Sequence, residues 1–191
     1  MKIIAVYDDI FYEGNTLSSI RFTSRVFLRN HLNQYAFLKN SGEDGFGVRN
    51  HLETLGGGVE ENESFLEAAH REVLEEAGAI AHNYQCIGAI IDRLNPIERL
   101  SFSCFYVADL VSINHELNRT EEEKILIESI VWLSVDEAIA RLNQADHAID
   151  AFVHRRDLTA FLEFLMIRIV GCFSNQLKQS IYSSFPPSCF R

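Results

Sequence analysis

The segment LGGGVEENESFLEAAHREVLEEAGA, residues 55–79, carries the strongest local pattern in this chain. It opens with three consecutive glycines, residues 56–58, which predict a turn. Ser64 followed three positions later by Glu67 is a capping-box pattern, so we expect a helix to begin at Ser64. Gly78 suits the left-handed residue that ends such a helix. The segment therefore predicts a glycine-rich turn that leads into a helix of about four turns.

Three carboxylates share one face of this predicted helix. Glu72, Glu75 and Glu76 are spaced by three and four positions, which places them side by side. The core-facing stripe is a separate set, namely Leu66, Ala69, Val73 and Ala77. An acidic triplet taken alone is more often a solvated surface. The glycine turn at a fixed distance before it favours a site for a hard divalent cation such as Mg²⁺, which binds carboxylate oxygens.

The spacing of the segment resembles the Nudix box, the signature of hydrolases that cleave nucleoside diphosphates linked to another moiety. All the fixed residues of the box are present, namely Gly57, Glu63, Arg71, Glu72, Glu75, Glu76 and Gly78. Ala79 stands where the family has a bulky aliphatic residue, and Leu55 stands where many members have proline. The resemblance, which covers roughly residues 20–144, implies an α/β fold of the α+β sandwich type, with a mixed central sheet between helices. Beyond it, the amphipathic pattern of residues 148–170 predicts an added C-terminal helix.

The resemblance also implies roles for single residues. Metal binding would fall to the carbonyl of Gly57 and to three side chains, those of Glu72, Glu75 and Glu76. The ion would be Mg²⁺, with Mn²⁺ as a substitute. Glu75 would also help to deprotonate the attacking water, while Glu63 and Arg71 would hold the loop against the helix and orient the glutamates. Members of the family commonly add a carboxylate from a later segment, and the candidates here are Glu121, Glu122, Glu123 and Glu128.

The composition is that of a globular protein. The chain has 191 residues, of which 47% are hydrophobic, enough for the core of one domain. Its net charge of −10 disfavours nonspecific binding to nucleic acid or to an anionic membrane. No signal peptide or membrane span stands out, and the cysteines have no metal-binding spacing, namely Cys86, Cys104, Cys172 and Cys189. We therefore expect a cytoplasmic protein with reduced thiols.

Alternating apolar and polar residues predict the strands of the sheet. The predicted strands are 2–7, 20–30, 35–39, 50–55, 84–93, 100–110 and 125–133, with a mobile loop at 41–49 and a polar loop at 111–124. Ser134 begins a predicted helix with Glu137 as its capping partner. We expect three regions: an N-terminal strand or arm at 1–17, a Nudix domain at 18–145, and a helical extension with a flexible tail at 146–191.

Two groups of basic residues are candidates for contact with a nucleotide. The resemblance places early strands near the nucleotide, with the candidates Arg21, Arg25, Arg29 and Lys39, although solvated strand residues are the commoner outcome. The step His154-Arg155-Arg156 lies in the predicted helix 148–170 and is more often simply exposed. That helix either packs on the domain, which we favour slightly, or forms a homodimer.

The sequence thus predicts a metal-dependent pyrophosphohydrolase. Its partner would be a small molecule that contains a nucleoside diphosphate, such as a nucleoside triphosphate or ADP-ribose, with no nucleic-acid or membrane partner. The alternative is a non-catalytic Nudix-fold module that senses a nucleotide or sugar nucleotide. Because such modules often lose box carboxylates and this chain keeps them all, we favour the hydrolase.

Overall fold

The computed structural model describes residues 1–113 and 116–172, apart from the side chains of residues 170–172. Of the extension and flexible tail expected at 146–191, residues 173–191 lie outside this range, and Cys189 with them. None of the described helices combines the length and the apolar character needed to cross a bilayer.

Nine strands, four α-helices and one short 3₁₀ helix, Asn95–Ile97, are present in the described part of the chain. The strands are β1 (Ile3–Tyr7), β2 (Ser19–Arg29), β3 (Tyr35–Asn40), β4 (Glu43–Asp44), β5 (Gly47–Val48), β6 (His51–Glu53), β7 (Ala79–Leu94), β8 (Arg99–Ile113) and β9 (Ile127–Leu133). The helices are α1 (Phe65–Ala77), α2 (Glu121–Leu126), α3 (Val135–Leu142) and α4 (Ala148–Cys172). This arrangement confirms the expected α/β class, with α4 as the added C-terminal helix.

Seven of the strands form one mixed sheet in the order β1-β7-β8-β2-β3-β6, with β9 paired to β3. The pairs β1–β7 and β2–β8 are parallel, whereas β7–β8, β3–β6 and β3–β9 are antiparallel. The chain returns to β2 after β6, since Val26 pairs with Leu55 and Thr23 with Gly58. The glycine turn is thereby fixed to the edge of a central strand.

Helices cover both faces of the sheet. On one face, Val26 and Leu28 pack with Ala69 and Val73 of α1. On the other face, α3 and α4 cover a larger core that is rich in aromatic rings, with Phe161 of α4 at its centre. The Phe161 ring lies 5.0 Å from the rings of both Phe27 and Tyr35. Packing of α4 on the domain is therefore what the structure shows, and the homodimer stays a prediction.

Capping interactions fix helix α1 as the sequence indicates. The Ser64 side chain accepts a hydrogen bond from the Glu67 amide, and the Glu67 side chain accepts one from the Ser64 amide. Gly78 ends the helix in the left-handed region with φ 57°, where its amide donates to Leu74 and Val73 carbonyls. The start and end predicted for this helix are confirmed.

Two predicted loops contain regular structure. The prediction of a polar loop at 111–124 is wrong at both ends. Strand β8 continues to Ile113, and Thr120 and Glu123 form a capping box that starts α2, so β9 begins only at Ile127. The loop expected at 41–49 contains the small hairpin β4–β5. Arg49 bonds to Asp44 at 2.7 Å and to Asp150 of α4 at 3.1 Å, and so connects this hairpin to α4.

Candidate active site

The glycine turn brings backbone into direct contact with the carboxylates of α1. Gly56 has φ +133°, and its amide donates a 2.7 Å hydrogen bond to Glu76 Oε2. A Cβ atom at Gly57 would overlap the Glu72 carboxylate. The glycines are thus needed for two separate reasons: Gly56 for its backbone conformation, and Gly57 for the space that Glu72 occupies.

Three carboxylates converge beside this turn. Ligand atoms of Glu72, Glu76 and Glu123 all lie within 4.8 Å of one another. Glu72 and Glu76 are only 5% and 3% exposed. Burial raises the pKa of Glu72, and burial followed by repulsion from Glu72 raises the pKa of Glu76 well above its ordinary value. Buried like charges without a matching cation are costly, so this donor set fits a hard divalent cation.

Glu123 reaches the cluster because its loop is tied to the end of α1. The guanidinium of Arg119 donates to the Glu76 carbonyl at 2.7 and 3.1 Å. The Asn118 amide donates to the Glu75 carbonyl at 3.0 Å. Helix α2 then starts at Thr120, whose amide bonds to Glu123 Oε2 at 2.7 Å. One carboxylate oxygen of Glu123 is therefore held by the capping box of α2.

Arg71 links the turn to the carboxylates of the helix. It bonds to Glu63 at 2.9 and 3.0 Å and to the Gly58 carbonyl at 2.8 Å. On its other side it bonds to Glu72 at 2.8 Å and to Glu75 at 3.1 Å. These contacts raise the pKa of Arg71, with the bond to Glu63 contributing most. Glu75 is half-buried and lies outside the cluster of three carboxylates.

The remaining candidates are held elsewhere. Glu121 pairs with Lys124 at 2.6 Å, and Glu128 pairs with Lys39 at 2.7 Å. Glu122 lines a surface hollow beside β4. The Gly57 carbonyl accepts a 3.0 Å hydrogen bond from the Ser24 amide, which leaves one lone pair free. Of the four later glutamates, the structure brings only Glu123 to the box.

A cavity of about 290 Å³ opens beside the carboxylate cluster, between the sheet and α4. Five arginines line it, namely Arg21, Arg25, Arg49, Arg99 and Arg156. Its acidic lining residues are Asp44, Glu53, Glu76, Asp92 and Glu123, and an apolar wall is formed by Phe46, Leu94, Ile149, Phe152 and Val153. The cavity therefore joins a cation site, a cationic surface and an apolar wall, which together suit a nucleotide.

Two of these arginines are locked in a buried ion-pair network. Glu53 pairs with Arg25 at 2.6 Å and with Arg156 of α4 at 3.0 Å. Burial alone would raise the pKa of Glu53, but Arg25 in particular holds it well below the ordinary value. Arg156 also bonds to Asp157 at 2.8 Å, and the Asp157 carboxylate in turn accepts from the Thr54 amide at 2.8 Å. Helix α4 is thus part of the cavity wall.

Only some of the basic residues predicted to contact a nucleotide lie at the cavity. Arg21 and Arg25 line the cavity, whereas Arg29 pairs with Asp109 and Lys39 with Glu128, both outside it. The expectation that the basic segment 154–156 is simply exposed is wrong, because His154 is 4% and Arg156 6% exposed, and Arg155 is half-buried. Asp92 and Arg99 were not singled out at all. An acidic residue within an otherwise apolar predicted strand was the signal available for Asp92.

Comparison with known proteins assigns the family. The model of the NUDIX domain matches residues 23–155, more than half of the chain. The chain belongs to the Nudix family. It is accordingly a hydrolase that acts on pyrophosphate bonds. The match ends inside α4, and the domain boundary expected at 145 stays a prediction.

Solved structures share the Nudix fold at low sequence identity. A NUDIX hydrolase from Nitrosomonas europaea is 18% identical, with 76% of this chain and 88% of that chain covered and a TM-score of 0.58. A MutT NUDIX hydrolase from Burkholderia pseudomallei is 14% identical, with 72% and 97% covered and a TM-score of 0.53. No curated protein matches the chain. At these identities the similarity supports the fold and leaves the substrate open.

Proposed function

We propose that this Nudix hydrolase is a divalent-metal-dependent pyrophosphohydrolase of small molecules that contain a nucleoside diphosphate. The observation that carries the proposal is the convergence of Glu72, Glu76 and Glu123 within 4.8 Å, at the edge of an arginine-lined cavity. Mg²⁺ is the expected ion and Mn²⁺ its substitute, since both take oxygen ligands. When bound, such an ion polarises phosphate oxygens and lowers the pKa of water.

The residues of the chain divide the remaining work. Glu72, Glu76 and Glu123 would hold the ion, with the free lone pair of the Gly57 carbonyl as a further donor. Arg71 and Glu63 orient Glu72 and Glu75 through the bonds described above. Glu75 stays the candidate for help with deprotonation of water, because Arg71 at 3.1 Å holds it beside the cluster.

The cavity supports a polyanionic substrate in spite of the acidic character of the chain. Arg25 is 8% exposed, and its guanidinium faces the same cavity as Glu76. Phosphate oxygens placed between Arg25 and a bound cation would be neutralised from two sides, which favours the extra negative charge of a phosphoryl-transfer transition state. We propose that the enzyme is cytoplasmic and that its site needs no partner macromolecule.

The test is release of phosphate and nucleoside monophosphate from a panel of nucleoside triphosphates, ADP-ribose, dinucleotides and sugar nucleotides. Each compound is assayed with Mg²⁺, with Mn²⁺ and with EDTA, for wild type and Glu76→Gln. We expect metal-dependent turnover that falls by roughly 10²–10⁴-fold in the variant. Binding of one compound without turnover would instead support the sensing module. Turnover that persists in EDTA would refute the metal-dependent mechanism.

A further inference from the structure

Asp92 is a buried carboxylate that the proposed hydrolysis does not use. It is 2% exposed and lines the cavity. Its Oδ2 atom has no hydrogen-bond partner among the described residues, and no ion pair to Asp92 is formed there within 4.0 Å. Burial raises the pKa of Asp92, and the charges of Arg156 and Arg25 oppose this only in part. A buried polar group without a partner destabilises the free protein, so it calls for a ligand or another explanation.

The sheet register places Asp92 in one row with a small residue and an arginine. Asp92 pairs with Ser101 on β8, and Ser101 pairs with Arg21 on β2. Residues directly opposite one another point to the same face, and strands lie about 4.8 Å apart, so Asp92 and Arg21 are separated by roughly 10 Å across Ser101. Arg99, two residues before Ser101, lies on the same face. A hollow floored by Ser101 thus has Asp92 on one side and Arg21 on the other.

The Arg21 end of this row lies towards the carboxylate cluster. A Cβ atom at Gly58 would lie 3.3 Å from Arg21 Nη2, so the Arg21 guanidinium stands against the glycine turn. The preceding residue, Gly57, touches Glu72 of the cluster. The order outward from the cluster is therefore Arg21, then Ser101, then Asp92.

Neither arginine of this hollow has a carboxylate partner. Within the described part of the chain, Arg21 and Arg99 form no ion pair within 4.0 Å, and the buried Nε atom of Arg99 has no hydrogen-bond partner. Burial, followed by repulsion from Arg21, lowers the pKa of Arg99. These guanidinium groups offer donors to an anion, while Asp92 offers only acceptors.

We propose that Asp92 is a specificity-determining residue that accepts a hydrogen bond from a sugar hydroxyl, while Arg21 and Arg99 bind the phosphate attached to that sugar. A diphosphate held at the cluster would continue past Arg21, and its sugar would lie over Ser101 with a hydroxyl towards Asp92. The inference rests on the proposed function, and it selects substrates in which the cleaved diphosphate carries a sugar with free hydroxyls. The sugar is either the ribose of the nucleoside or the second sugar of a sugar nucleotide.

The test compares ADP-ribose, UDP-glucose, ATP and 2′,3′-dideoxyATP as probes of wild type, Asp92→Asn, Arg99→Gln and Arg99→Lys. Asp136→Asn is the matched control, because Asp136 is an exposed aspartate on α3 that lies outside the cavity. KM and kcat are measured with Mg²⁺, and Kd is measured by calorimetry in EDTA, where no turnover is expected. Melting temperatures of all variants are recorded without ligand.

We expect Asp92→Asn to raise KM and Kd about tenfold for a probe with the recognised hydroxyl, with kcat nearly unchanged. If the second sugar is recognised, Asp92→Asn affects ADP-ribose and UDP-glucose but neither ATP nor 2′,3′-dideoxyATP. If the nucleoside ribose is recognised, ATP is affected and 2′,3′-dideoxyATP is not. Arg99→Gln weakens every probe, and Arg99→Lys restores part of the loss. Because Asp92 has no partner in the free protein, the melting temperature of Asp92→Asn is unchanged or higher.

Three of the possible results would overturn the inference. Unchanged KM and Kd for every probe in Asp92→Asn would remove Asp92 from recognition. A melting temperature several degrees lower in that variant would show a structural role instead. Absence of turnover with intact, Asp92-dependent binding would refute the proposed function while it supports this subsite. Failure of wild type both to bind and to hydrolyse all four probes would overturn the subsite as well.

Discussion

Replacement of Glu123 by glutamine separates the carboxylate cluster from the rest of the acidic helix. Glutamine keeps the shape of the side chain and can still serve as the capping-box partner of Thr120, so α2 should form. What the variant loses is one of three carboxylates whose ligand atoms lie within 4.8 Å of one another. The sign of its effect therefore depends on whether a cation is present.

The magnitude follows from Coulomb's law. Two unit charges at the 4.8 Å limit repel by about 0.9 kcal/mol with the dielectric constant of water and by about 3.5 kcal/mol at an effective value of 20. Glu123 faces two carboxylates, so the range for both pairs together is about 1.7–7 kcal/mol. Because Glu123 is only half-buried, we expect relief of about 2 kcal/mol, near the lower, water-like end of that range. For a chain of this size that corresponds to a rise in melting temperature of about 4–8 °C in EDTA.

A bound cation reverses the sign. With Mg²⁺ or Mn²⁺ the third carboxylate attracts the ion, so its removal should weaken binding by at least about 10–100-fold. Differential scanning calorimetry in EDTA and across a Mn²⁺ titration measures both effects on the same samples. Glu122→Gln is the control, since Glu122 precedes Glu123 on α2 and lies beside a different surface hollow. A melting temperature of Glu123→Gln in EDTA equal to that of Glu122→Gln, or a Mn²⁺ affinity equal to that of wild type, would refute this role of Glu123.

Three further changes test the turn, the added helix and the buried acid. Gly56→Ala should destabilise the protein by about 1–3 kcal/mol or more and reduce its metal affinity, because φ is +133° and a Cβ atom would overlap Ser24. Gly45→Ala is the control: its Cβ atom would meet nothing within 4 Å, so the free energy of unfolding in denaturant should not change. Phe161→Ala should cost about 3–5 kcal/mol in urea unfolding, since Phe161 is fully buried; a cost below about 1 kcal/mol would mean that α4 is not part of the core. Burial raises the pKa of Glu76 above its value in the unfolded chain, so the metal-free protein loses stability as the pH rises through the folded-state pKa. The gain in stability from Glu76→Gln in EDTA should therefore increase with pH from about pH 5 upward. A gain that does not depend on pH would contradict the burial of Glu76.

The sequence predicted the part of the site that is local in the chain. The turn, the caps at Ser64 and Gly78 and the shared face of the box glutamates all depend on residues fewer than about five positions apart, where helix geometry fixes the neighbours. The predicted start of β9 was wrong because helix α2, which the Thr120–Glu123 capping box starts, has only six residues and is too short to show hydrophobic periodicity.

The rest of the site depends on contacts between distant segments. Arg156 meets Glu53 across 103 positions, and Asp92 reaches the cavity through the pairing of β7 with β8 and of β8 with β2. Nothing in the sequence next to Arg156 distinguishes it from an ordinary exposed basic residue. Among four later glutamates, only the tie between Arg119 and the end of α1 selects Glu123. These residues became candidates only once the sheet order was known.

The arrangement of charge within the cavity explains how an acidic chain can bind a polyanion. The five arginines of the lining are matched by five acidic residues, so the cavity has little net charge before a cation binds. Glu53 holds Arg25 and Arg156 in place, which fixes their donors at little further cost in side-chain entropy when a phosphate arrives. Arg21 and Arg99 have no such partner, so they lose only bound water when a phosphate binds. A cation at the three carboxylates adds positive charge at one end of this row. Binding of metal and of substrate should therefore be mutually favourable, because each supplies the opposite charge that the other site lacks.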